Sequence, residues 1–145
     1  MLKNTATGVA FLWCFSVFAE ESESTIQGKL SIKENVLFLN EKEIQPKVQG
    51  DFSLSFARNL AYKNGNAVLL LNNSGGTACP VQYRWVILTP KSIKQTPEFG
   101  SCSDLPKVII KNKKLIVILP DFKSAPKSVV IYDGGKITEN GKQLK

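Results

Sequence analysis

Along most of this chain apolar and polar residues alternate singly, the period of a strand with one face buried, in short runs punctuated by turn-forming residues. Residues 29–33 (KLSIK) alternate, Glu34-Asn35 predict a turn, and 36–39 (VLFL) predict a more buried return strand. Asn40-Glu41-Lys42 predict a second turn, and Pro46 limits any strand holding Ile44. In 52–56 (FSLSF), Phe52, Leu54 and Phe56 share one face, so this strand is expected to be half buried. Asn64-Gly65 is a hairpin signal joining a segment near Leu60 to the run 67–71 (AVLLL). Within 55–63, Phe56, Leu60 and Lys63 have helical spacing and predict one turn or a short helix.

Segment 82–88 (QYRWVIL) reads as a central strand, and 93–96 pairs briefly before Pro97. The last third repeats the pattern. Residues 107–111 turn at Asn112-Lys113 into 115–119, and 128–132 turn at Asp133-Gly134-Gly135 into a short return through Ile137. About nine strands in successive hairpins predict an all-β fold, an antiparallel sandwich or small barrel. Residues 29–33 and 107–111 share a Lys-apolar-x-Ile-Lys string, which amphipathic hairpins produce by chance, so no duplication is assigned.

The first nineteen residues differ from all this. Lys3, an apolar run from Ala6 to Phe18 and small residues at Val17 and Ala19 have the form of a cleavable export signal. The expected organisation is a signal at 1–19, a flexible acidic leader at 20–28 and one β domain at 29–145, placed in the periplasm or secreted. No later apolar run is long enough to span a bilayer. Cys14 leaves with the signal, and Trp13 before it does not suit lipidation.

Cys79 and Cys102 remain, and in an exported domain such a pair forms a structural disulfide rather than a redox couple, which favours Cys-x-x-Cys spacing. The chain has no histidine, and two thiolates alone do not complete a zinc site. Absent histidine also removes the usual serine and cysteine nucleophile systems. The candidate acids for a carboxylate hydrolase, Glu98, Asp104, Asp121 and Asp133, read more simply as turn and loop residues, so no enzyme, metal or cofactor is expected.

Charge is uneven. Removing 1–19 takes away only Lys3 among charged residues, while 20–51 is acidic and 107–145 is rich in lysine. Lys111, Lys113, Lys114, Lys123, Lys127 and Lys136 form a candidate basic face for an acidic protein, anionic lipid or glycan. With Arg58 and Arg84 the only arginines, the guanidinium forks of nucleic-acid readers are scarce, and no nucleic acid is expected.

GGTACP at 75–80, YRWV at 83–86 and TPEFGSCSDL at 96–105 together resemble small exported proteins of Gram-negative bacteria carrying GG-x-A-C-P and F-G-x-C-S elements. That resemblance implies a periplasmic location and a joined Cys79 and Cys102, and brings no catalytic residues. Joined cysteines would hold loops 72–80 and 97–105 together as a rigid recognition surface, with Asn73, Thr77, Gln82, Tyr83, Glu98, Phe99, Ser101 and Asp104 on or beside it. The expected function is a non-enzymatic inhibitor or immunity-type protein acting on an envelope enzyme or toxin. The alternatives are an accessory protein using the lysine-rich face and a small carboxylate hydrolase.

Overall fold

The computed structural model describes Gly8, Ala10 and residues 20–145, so the rest of the expected signal, including Cys14, lies outside the described residues. The described chain is all β. It folds into three antiparallel meanders, each made of consecutive strands: β1 (Glu21–Thr25) to β4 (Lys42–Glu43), β5 (Ser53–Tyr62) to β8 (Ile93–Gln95), and β9 (Lys107–Lys111) to β13 (Lys142–Gln143). Between them run β2 (Gly28–Lys33), β3 (Val36–Leu39), β6 (Gly65–Asn73), β7 (Val81–Leu88), β10 (Lys114–Leu119), β11 (Ser128–Asp133) and β12 (Lys136–Glu139).

The meanders stack in three layers, with the second in the middle. One core sets Leu30, Ile32, Leu37 and Val48 of the first meander and its link against Leu54, Val68, Leu70 and Val86 of the second. The other core sets Leu69, Tyr83, Trp85 and Phe99 of the second meander and its link against Leu115, Val117, Val130 and Tyr132 of the third. A sheet covered on both faces has no polar side, which is why 67–71 is continuously apolar. The expected sandwich is thus present, with an extra layer.

Two expectations near the start are corrected. Residues 20–28, read as a flexible leader, contain β1, which pairs with β2 from Glu21↔Ile32 to Thr25↔Gly28. Its acidic side chains also grip the middle sheet: Glu21 accepts from the Phe56 amide at 2.7 Å, and Asn59 donates to Glu23 at 3.0 Å. Residues 55–62 are strand, not helix, and Lys63 begins the turn. A β-bulge between Phe56 and Arg58 inserts Ala57 and shifts the phase of the strand, so Phe56 and Leu60, whose spacing suggested one helical face, pack against opposite cores.

Five hairpin loops are two residues long with positive φ, as the twist of paired strands favours. Glu34-Asn35, Asn40-Glu41, Asn112-Lys113, Gly134-Gly135 and Asn140-Gly141 have both φ angles between 50° and 90°. The β5–β6 turn falls on Lys63-Asn64, one residue before the Asn-Gly pair, and Gly65 opens β6. A Cβ on Gly65 would sit 1.8 Å from the Leu88 carbonyl oxygen, so glycine serves close backbone approach there.

The structure reveals a repeat that residue identities conceal. Residues 28–43 and 128–143 have the same strand and turn lengths at an offset of 100 positions. Asn40 donates its amide to the Lys29 carbonyl, accepts from the Lys29 amide and donates its side chain to the Gln27 carbonyl. Asn140 makes the same three bonds to Val129 and Lys127. Buried Leu30, Ile32 and Leu37 correspond to buried Val130, Tyr132 and Ile137. The two outer meanders are versions of one unit on opposite faces of the middle sheet.

Candidate functional site

Two surfaces gather the residues that sequence singled out. The first is the end of the stack where Cys79, in the β6–β7 loop, is bonded to Cys102, in the link between the second and third meanders, with Cα atoms 4.7 Å apart. The Tyr83 and Phe99 backbones form a reciprocal pair at 2.8 and 2.9 Å, laying the link against β7. Ser101 donates its hydroxyl to the Pro120 carbonyl, and Lys123 reaches the Thr77 carbonyl, tying in the β10–β11 loop.

This end includes only part of the expected recognition set. Tyr83, Phe99 and Ser101 are buried, the first two stacked with ring centroids 6.2 Å apart, and are corrected from surface to core. The Tyr83 hydroxyl donates to the Ser103 carbonyl at 3.0 Å, and burial raises its pKa well above the usual phenol value of 10.0. Asn73 caps its own turn by accepting from the Gly75 amide at 2.8 Å. Gln82 points its amide at Cys79 Sγ, 3.5 Å away. Glu98 accepts from Asn72 at 3.3 Å and faces Arg84 at 3.5 Å; Asn72 also bonds Asp51 and Arg84 bonds Gln95. That network clamps the link onto the middle sheet.

What remains exposed is Thr77, Asp104 and the network member Glu98, joined by two groups that sequence reading did not assign here. Phe52, expected on a half-buried face with Leu54 and Phe56, is 69% exposed and lies beside Gly75. Leu105 is also 69% exposed, three residues past Cys102. Alternation predicted burial for Phe52, but β5 starts one residue later and Phe52 belongs to the preceding turn. Its glycine neighbour was the available signal, since Gly75 holds φ +74° and a Cβ there would meet the ring at 3.1 Å.

The second surface is the outward face of the third meander. Here Lys107, Ile109 and Lys111 of β9 stand opposite Ile118, Ile116 and Lys114 of β10, and Ile116 and Ile118 stand opposite Ile131 and Val129 of β11. The five β-branched side chains are partly exposed and belong to neither core. Lys136 extends the rim on β12, opposite Asp133, which lies 3.7 Å from Lys114. Of the six lysines expected to form one face, Lys111, Lys114 and Lys136 are on it. Lys113 occupies the β9–β10 turn, Lys127 precedes β11, and Lys123 is directed to the disulfide end. Lys107 completes the rim.

Asp104 and Asp121 stand on separate loops. No group of three or more acidic, cysteine or histidine residues suited to a metal occurs among the described residues, and none of their helices is long and apolar enough to cross a membrane. Comparisons with protein-family models, curated proteins and solved structures find no match.

Proposed function

We propose that this protein is a non-enzymatic binding protein of the periplasm, of the inhibitor or immunity type, which engages an envelope enzyme or toxin through its disulfide end. The observation that carries this reading is the Cys79–Cys102 bond, which pins the β6–β7 loop to the link and presents exposed Phe52 and Leu105 beside them. A disulfide suits an oxidising compartment. Rigid loops lose little entropy on binding, and large apolar side chains at the rim of a fixed loop are the kind of anchors that dominate protein interfaces. Asn72, Asn73, Arg84 and Glu98 around them already bond within the chain, which holds the shape of the surface.

The test is capture of envelope proteins on the immobilised oxidised protein, followed by assay of the captured enzyme or toxin. One saturable partner, retained at high salt and silenced by the free protein, is expected. Replacing Phe52 and Leu105 together by serine should weaken that complex at least tenfold, the loss typical of anchor truncation. A partner that ignores the double substitution, or binding that disappears when salt is raised, sinks the reading.

A further inference from the structure

We propose that the outward face of the third meander docks on a lipid bilayer surface carrying anionic headgroups, independently of the disulfide end. Its centre is a contiguous patch of Ile109, Ile116, Ile118, Val129 and Ile131 on three paired strands, and its rim is lysine. Two of those lysines, Lys111 and Lys114, stand directly opposite each other on neighbouring strands. Like charges so placed weaken a sheet, and an anionic surface laid across both relieves the repulsion. Lys107, Lys111 and Lys136 form no ion pair among the described residues.

The chemistry of the face selects lipid over protein. Protein interfaces concentrate tyrosine, tryptophan and arginine at their centre and shed lysine. This face has no aromatic or arginine side chain and four lysines, whose long aliphatic stems extend the apolar surface while their ammonium groups reach outward to phosphate. A second copy stacked on the same face would set lysine rim against lysine rim. The acidic outer layer lies on the opposite side of the stack, so the charge distribution presents this face to a negative surface.

Co-sedimentation of the purified oxidised protein with vesicles tests this. Vesicles of phosphatidylglycerol mixed with phosphatidylethanolamine should bind it, vesicles of phosphatidylcholine alone should not, and binding should weaken as salt rises. Replacing Lys107, Lys111 and Lys136 together by glutamine should weaken binding about a hundredfold. Replacing Ile116 and Ile118 by serine should weaken it about tenfold while leaving its salt dependence unchanged. Unaltered thermal unfolding and an intact disulfide certify each variant as folded. Equal binding to phosphatidylcholine, indifference to the lysine substitutions, or a chain that ignores vesicles and dimerises or takes up an acidic polypeptide through this face would overturn the proposal.

Discussion

The first and third meanders share a unit but treat their outer faces in opposite ways. On the first, Lys29 and Lys33 are answered by Glu20 and Glu41, and Lys33 lies over the Phe38 ring with its pKa raised by the Glu41 bond. On the third, the corresponding surface is aliphatic and its lysines outnumber its acids. Inward positions agree because each must fill a layer against the middle sheet, and the Asn40 and Asn140 brackets agree because each closes the same turn. The outward faces are free of that demand. The lesson is that packing holds the inner pattern of a repeat while the outer one diverges toward other uses.

The sharpest way to break the comparison is to truncate equivalent inner residues. Leu37→Ala and Ile137→Ala should each cost about 2–5 kcal/mol in urea unfolding, because both side chains are buried against the middle sheet. The two belong to separate cores, so the double variant should lose the sum. A cost confined to one of them would show that the outer meanders are not equivalent supports.

The disulfide sharpens the contrast from the other side, since it ties the middle meander to the link entering the third. Replacing Cys79 and Cys102 by serine should cost about 3 kcal/mol in the chain-entropy model. Amide exchange should rise in β9–β12 more than in β1–β3. Uniform loosening would mean that the bond braces the stack as a whole.

The smallest expected effect is a pH dependence confined to one core. Tyr62, Tyr83 and Tyr132 all pack between the second and third meanders, and burial raises the pKa of each above 10.0. Folding thus favours the protonated phenols. Their contribution is complete below about pH 10 and declines as pH climbs from there through the raised values, where the unfolded chain ionises first. The core against the first meander contains no tyrosine among its described members. Trp85 fluorescence should accordingly report alkaline loosening that exchange in β1–β3 does not share, and Tyr83→Phe should reduce the pH slope. An unchanged slope would assign the alkaline transition to lysine deprotonation.

Much of the fold was legible in the chain. Period-two alternation located β2, short apolar runs between turns located β3, β9, β10 and β11, and turn residues placed most hairpins. The two-residue strands β4 and β13 carry too few residues for a period, and β1 is polar because its outward side chains meet solvent and its acids meet the middle sheet. The bulge at Ala57 disguised β5, since one inserted residue shifts the phase of every residue after it. Of the candidate recognition residues, Thr77, Glu98 and Asp104 stayed at the surface, whereas Tyr83 and Phe99 moved inward because the link pairs with β7 and closes over the core.

By itself, then, the sequence determined the all-β class and the local hairpins, and it supplied two cysteines for a brace, because alternation and turn chemistry act over a few residues. Only the tertiary structure decided that the three meanders stack, that two outer units repeat, and that four lysines surround one aliphatic face, while the expected Cys79–Cys102 bond is present. Those facts depend on which sheets cover which, and burial between layers joins residues far apart in the chain.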